Sequence, residues 1–161
     1  MGTLFLPHNM VVTEARTYRS AALLLERHSA AGNTDLFWPA AMNAALAVEI
    51  YLKSFLVEQD YPDIRLSKPA RKARHDLSQL YDAIPTSLRA VIEAANSLLA
   101  PPLRLDEMFE FYADYFAKVR YSYEQDARRT IRSDSLFSWI GWKTFALRWL
   151  RQWSCHLVEM T

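Results

Sequence analysis

Glu49 is the residue of this sequence with the clearest chemical implication. It lies in an apolar run and shares a helical face with Ala45, Leu52 and Leu56. An unpaired carboxylate is costly to bury on such a face. Lys53 follows four positions later, in the favourable order of acid before base. The favoured interpretation is an internal Glu49–Lys53 ion pair that fixes the register of the helix.

A second interpretation extends this pair into a polar pocket, in which Glu49 also meets His75 or Arg120. Both interpretations require a basic partner, because a lone buried carboxylate would take up a proton. His75 precedes Asp76 and an apolar run. This arrangement is typical of a helix start, at which Asp76 accepts first-turn amides. We therefore expect His75 to be a hydrogen-bonding residue at this helix start, with a catalytic role as the minor alternative.

Two clusters of cations could bind phosphates. Segment 65–75 contains five cations and no acid. Its candidate binding residues are Arg71, Lys72 and Arg74, and those of the second cluster are Arg128, Arg129 and Arg132. Phosphate contacts would make binding salt-dependent, whereas the alternative is that both segments are solvated loops. A net charge of +1 favours a local anion site over extended binding to a duplex.

Arg151 and His156 form a further candidate pair near the end of the sequence. Five helical steps separate their side chains by about 140° and roughly 7.5 Å along the axis. They do not easily converge within one helix, but they could meet across a two-fold axis.

The composition excludes several classes of function. The chain has 161 residues, three glycines and a single cysteine, Cys155. Phosphate loops rich in glycine, disulfide frameworks and multi-cysteine metal sites are therefore excluded, and no Glu-x-x-His or His-Glu-x-x-His pair occurs. We expect no cofactor, no metal and no membrane span. The lone thiol and the lack of an export signal indicate a cytoplasmic protein.

The elements that would position these residues are helices. Apolar spacing and helix-breaking residues predict helices over about 8–31, 34–59, 75–85, 106–124 and 134–160, with a short helical extension over 87–99. Thr34 and Asp35 are expected to cap the second helix and Asp106 the fourth, and residues 60–74 are expected to form a loop. Val119, Tyr121 and Tyr123 alternate like a strand and could end the fourth helix early. Because nothing elsewhere alternates with period two, the prediction is an all-α antiparallel bundle of about five helices in one domain, 1–161.

The last predicted helix carries the heaviest apolar load. A single stripe holds Trp139, Trp142, Ala146, Trp149, Trp153, Leu157 and Met160. The favoured interpretation is that this stripe packs on the bundle. Because tryptophan is enriched at interfaces, the alternative is that part of it joins two copies of the chain in a homodimer.

Three segments together resemble a HEPN-type domain: AALAVEIYLKSFL in the second helix, HDLSQL from His75, and RYSYE from Arg120. The resemblance covers roughly residues 35–125. It implies an antiparallel helical bundle, commonly dimeric, as found in many bacterial proteins linked to toxin–antitoxin systems, phage defence or RNA processing.

Catalytic HEPN proteins are metal-independent ribonucleases with an arginine followed, after four to six residues, by a histidine. On this chain the pattern falls on Arg151 and His156, with Gln152 where a small polar residue is usual. The histidine would move a proton and the arginine would stabilise the crowded phosphate. The favoured expectation is a dimeric accessory or binding domain for RNA, a nucleotide or a partner protein such as an antitoxin, with Glu49, Lys53, His75 and Arg120 in its polar core. The alternative is the endoribonuclease.

Overall fold

The computed structural model describes residues 7–59, 63–97 and 104–113. Its helices are α1 (Asn9–Ala30), α2 (Phe37–Ser54), α3 (Lys68–Ala73), α4 (Leu77–Ala83), α5 (Thr86–Ser97) and α6 (Leu105–Phe111). Two short antiparallel strands, β1 (Val57–Gln59) and β2 (Arg65–Leu66), complete the described part. The prediction of an all-α helical bundle is confirmed. Across the described ranges, no helix combines the length and apolar character needed to cross a membrane.

Helices α1 and α2 form an antiparallel pair. The first helix ends close to its predicted limit at residue 31, because Gly32 adopts φ 113° and the Gly32 and Asn33 amides donate to the Ser29 and His28 carbonyls. These two bonds make a Schellman ending, which satisfies the last carbonyls of α1. At the other end of the pair, the His8 amide donates to the Ser54 carbonyl at 2.8 Å. The start of α1 is thereby tied to the end of α2.

Small side chains bring these two helices close together. The buried residues of α1 are Val12, Ala15 and Ala22. Five alanines of α2 have no exposed surface: Ala40, Ala41, Ala44, Ala45 and Ala47. Because alanine has no side chain beyond Cβ, the helix backbones can approach each other without gaps. In this tightly packed helix Glu49 is the buried carboxylate.

The second half of the described chain also packs antiparallel. The Leu77 amide at the start of α4 donates to the Ala113 carbonyl after α6, and the Tyr81 and Phe109 rings lie 5.0 Å apart. Pro85 separates α4 from α5, and its carbonyl accepts the first bonds of α5 from Leu88 and Arg89. The described part contains one hydrophobic core cluster, which extends from Val12 to Tyr112.

The predicted second helix, 34–59, was wrong at both ends. Thr34–Leu36 is a 3₁₀ turn, α2 begins at Phe37, and no side chain caps either element. Helix α2 ends at Ser54, and Val57–Gln59 pairs with Arg65–Leu66 as a strand. The Ser67 amide continues this pairing by donating to the Leu56 carbonyl at 2.7 Å. Pairing with the segment that follows the next loop therefore overrides the local helical pattern.

The predicted loop 60–74 also contains a helix. Ser67 caps α3 by accepting from the Ala70 amide, and Pro69 lies in the first turn of the helix. A serine cap followed by an early proline is a helix-start signal, so α3 could have been predicted from these two residues. The side chains of Ala70 and Ala73 anchor this short helix because both are buried.

Asp106 does not cap the helix that follows residue 104. Arg104 occupies the cap position without a side-chain bond, and α6 begins at Leu105, which is buried. Asp106 and Glu107 instead lie in the first turn, where their charges complement the helix dipole. Helix α6 ends at Phe111, with Tyr112 in the C-cap position, so the predicted continuation of the fourth helix beyond residue 111 was wrong. Residues 114–124, the connection 125–133 and the last predicted helix lie outside the described residues.

Candidate functional site

A cluster of three side chains joins α2 to the turn before α4. Glu49 is at its centre, with only 3% of its side chain exposed. Lys53, one helical turn further on, donates from Nζ to Oε1 of Glu49 at 2.5 Å. The ion pair expected from the four-residue spacing is therefore present. Lys53 keeps 18% of its side chain exposed, so the pair extends from the interior towards solvent.

His75 supplies the second partner of Glu49. Its Nδ1 lies 3.0 Å from both Oε1 and Oε2. An ionised carboxylate only accepts hydrogen bonds, so Nδ1 carries the proton in this contact. Of the two predicted further partners of Glu49, His75 is therefore in contact with it, and Arg120 lies outside the described residues. The ring itself is half-exposed, with 45% of the side chain accessible.

The backbone on both sides of His75 is fixed. Before it, the Asp76 amide donates to the Ala73 carbonyl at 3.0 Å, which closes a turn with Arg74 and His75 at its centre. Arg74 has φ 55° and ψ −94°, close to the first central position of a type II′ turn, at which glycine is preferred. After it, Asp76 caps α4 by accepting from the Gln79 amide at 2.9 Å. This confirms the predicted helix start.

Arg74 is the one non-glycine residue with a positive φ among the described residues. An L residue in this region carries a strain of about 1–3 kcal/mol and persists when its surroundings determine the backbone. Here the surroundings are the buried end of α3, the cap of α4 and the Glu49–His75 contact. The strained residue thus directly precedes the residue that reaches the buried carboxylate.

The basic segment, residues 65–74, leads into this cluster. Its five cations are all exposed: Arg65, Lys68, Arg71, Lys72 and Arg74. Arg71 donates to the Leu66 carbonyl, which ties the last turn of α3 back to β2. None of the ion pairs within the described ranges involves this segment. The structure therefore brings Arg71, Lys72 and Arg74 into one exposed stretch that ends at His75.

Other predicted site residues are not placed by the structure. Arg128, Arg129 and Arg132 of the second basic cluster lie outside the described residues, as do Arg151 and His156. Within the described ranges, no three His, Cys, Asp or Glu side chains are grouped closely enough to hold a metal ion.

Sequence reasoning missed a second polar contact, between α4 and α5. The buried Tyr81 hydroxyl donates to the Glu93 carboxylate, and the Arg89 guanidinium lies over the Tyr81 ring at 5.8 Å from its centroid. Burial and the Glu93 carboxylate raise the pKa of Tyr81 well above its ordinary value, whereas Arg89 opposes the shift. The contact spans a proline turn, so no helical spacing indicates it.

Tyr51 of α2 is a second buried phenol with a shifted titration. Burial raises the pKa of its hydroxyl, while Arg19 and Arg16 of α1 partly oppose this shift. The two tyrosines are structural groups because both rings belong to the core cluster. Core packing does not account in the same way for the exposed polar groups of the Glu49 cluster and the basic segment. The candidate site therefore consists of Glu49, Lys53, His75 and the basic segment.

Comparisons with protein-family models, with curated proteins and with solved structures find no match to this chain.

Proposed function

We propose that this protein is a HEPN-like accessory or binding domain that recognises the phosphates of RNA or of a nucleotide. The observation that carries the proposal is the basic segment. Five exposed cations lie within ten consecutive positions, and the described residues provide them with no acidic partner. A phosphate-bearing ligand would neutralise this concentration of charge and would release counterions on binding.

The helical scaffold supports a local site better than an extended one. Helix α3 is anchored through Ala70 and Ala73, and the spacing of Lys68, Arg71 and Lys72 places these three cations on one face of the helix. With a whole-chain charge of +1, attraction of a polyanion would depend on this patch rather than on a field over the whole molecule. A mononucleotide or a short stretch of single-stranded RNA suits an area of this size.

The proposal includes three features that rest on the sequence alone. The tryptophan stripe and the HEPN resemblance both support a homodimer, and the single cysteine supports a cytoplasmic location. The resemblance also supports a setting in toxin–antitoxin or defence systems with a partner protein such as an antitoxin. The segment that carries the tryptophan stripe lies outside the described residues.

The test measures binding of a short single-stranded RNA as a function of salt. The variant Lys72→Gln/Arg74→Gln removes two cations of the segment, and the control Arg27→Gln/Arg104→Gln removes two exposed cations elsewhere. We expect the first variant to bind several-fold more weakly. Its slope of log affinity against log salt should fall by about 0.7 for each phosphate that the variant no longer neutralises. Equal decreases in affinity for both variants would show that the basic segment is not the site.

The same mixtures, incubated with excess chelator, address the alternative of a metal-independent endoribonuclease. Cleavage that disappears in both Arg151→Ala and His156→Ala would favour that alternative. Binding without cleavage would favour the accessory domain.

A further inference from the structure

Helix α3 has two faces of opposite character. Ala70 and Ala73 are buried and belong to the core cluster. Lys68, Arg71 and Lys72 share the opposite face, because residues three and four positions apart are neighbours on a helix, and all three are exposed. Within the described ranges none of them forms an ion pair. One turn of helix therefore carries three cations on a surface that the core holds in place.

The start of α3 is fixed by two hydrogen bonds of Ser67. Its side chain accepts from the Ala70 amide, which caps the helix. Its own amide donates to the Leu56 carbonyl at 2.7 Å, which joins α3 to the segment directly after α2. A site on an element that is fixed in this way loses little entropy when it binds a ligand.

Arg71 is the cation of this face whose side chain is also oriented by a protein group. Its Nη1 donates to the Leu66 carbonyl. A guanidinium is planar and carries five N–H donors in a fixed fork. With Nη1 directed at the backbone, Nε–H and Nη2–H form the parallel pair of donors on the other edge of the plane. Among the described residues, Leu66 is the one hydrogen-bond partner of this side chain.

The charge and the donors of this face fit a terminal phosphate. A phosphomonoester carries about 1.5 to 2 negative charges at neutral pH and three strong acceptor oxygens, whereas each phosphodiester of a nucleic acid chain carries one charge. The paired N–H groups of an arginine match two oxygens of a single phosphate. Three cations within about 5.4 Å of helix concentrate positive charge on one group rather than along a strand.

We propose that Lys68, Arg71 and Lys72 bind one terminal phosphate. The Arg71 guanidinium is its bidentate donor, and the two lysines neutralise its charge. This inference rests on the proposed function, because the three residues belong to the basic segment. The ligand is then a phosphomonoester, which the end of an RNA and a mononucleotide both provide.

The first test compares ligands that differ in the terminal phosphate, with the full-length protein at one ionic strength. The probes are one short single-stranded RNA with a 5′-phosphate, with a 3′-phosphate or with hydroxyl ends, and adenosine monophosphate beside adenosine. We expect a terminal phosphate to strengthen RNA binding about tenfold, as expected for one charge-assisted contact.

The same series identifies the source of the phosphate. Tighter binding of phosphorylated RNA than of adenosine monophosphate supports an RNA end, whereas equal binding of the two supports a mononucleotide. Equal affinity for RNA with and without a terminal phosphate overturns the inference while the proposed function stands. If the wild-type chain binds neither RNA nor the nucleotide, the proposed function itself fails.

The variant Arg71→Lys tests the guanidinium, because it keeps the charge and removes the paired donors. Arg65→Lys is the matched control, since it makes the same change at an exposed arginine outside α3. We expect Arg71→Lys to lose most of the preference for phosphorylated RNA and Arg65→Lys to retain it. Because both variants keep their charge, the salt dependence of binding to unphosphorylated RNA should stay as in the wild type. An unchanged preference in Arg71→Lys overturns the inference.

Nitrogen NMR of the wild-type chain gives a test that needs no variant. The Nε–H signals of the arginines are followed while adenosine monophosphate is added. We expect the largest change at Nε of Arg71. A larger change at Arg65 or Arg74 overturns the inference. This measurement decides the role of Arg71 even if Arg71→Lys folds poorly after losing the contact with Leu66.

Discussion

Glu49 and Glu93 both accept a hydrogen bond from another part of the chain, but their surroundings are opposite. Glu49 is buried, and its partners Lys53 and His75 reach towards solvent. Glu93 is exposed, and its partner is the hydroxyl of Tyr81, a buried residue. In the first contact the polar groups extend outwards from the core and reach a basic surface. In the second, the surface carboxylate satisfies a group of the core. The first contact therefore both stabilises the fold and adjoins the basic segment, whereas we assign the second contact a role in stability.

The largest expected effect comes from removing the buried carboxylate. Glu49→Ala deletes both contacts and leaves unfilled space among the packed helices. We expect it to lower the free energy of unfolding by about 3 kcal/mol, measured by urea denaturation. Glu49→Ala should change the free energy of unfolding more than it changes the affinity for RNA, because the cations of the basic segment remain in place.

Glu49→Gln is the matched control for shape, because it keeps the volume of the side chain and removes the charge. An unchanged melting temperature in Glu49→Ala would contradict the structural importance of this cluster. The Glu49 contacts would then not be important for the stability of the fold.

The second contact predicts an asymmetry between its two partners. Glu93→Ala leaves the buried Tyr81 hydroxyl without its acceptor and should cost about 2 kcal/mol, whereas Tyr81→Phe removes the hydroxyl itself and should cost about 1 kcal/mol. Thermal or chemical unfolding of the two variants measures this difference. Equal costs, or a larger cost for Tyr81→Phe, would show that the phenol does not depend on Glu93.

The smallest expected effect concerns alkaline pH. Because the pKa of Tyr81 is raised in the folded state above its ordinary value of 10.0, its contribution to stability is complete below that pH and is lost as pH rises further. Between pH 10 and 11 the wild-type chain should lose roughly 1 kcal/mol more than Tyr81→Phe does. Urea titrations at successive pH values measure the two slopes. Parallel slopes would contradict the raised pKa of Tyr81.

Local spacing explains what the sequence could predict about the site. Glu49 and Lys53 are one helical turn apart, so the pair follows from helix geometry once α2 is assigned. The Asp76 cap follows from its position before an apolar run. His75 is 26 positions from Glu49, and it was one of two candidates because only packing of α4 against α2 brings it there. No local pattern contains that information.

The errors have the same origin. Residues 57–59 continue the helical pattern of α2, but pairing with Arg65 and Leu66 makes them a strand. Leu105 enters the core and moves the start of α6 ahead of Asp106. The Tyr81–Glu93 contact depends on the turn at Pro85. In each case a contact between distant residues decided what the local sequence left open.

At position 74, the requirement for an unstrained backbone conflicts with the requirement for a positive charge. Glycine is the residue that would relax this turn, but the same substitution would remove the guanidinium adjacent in sequence to His75. Arginine at this position therefore keeps a positive charge at the edge of the basic segment at the expense of an easier backbone conformation. A protein engineer who selects at this position for thermal tolerance alone would be led away from the charge that the proposed ligand requires.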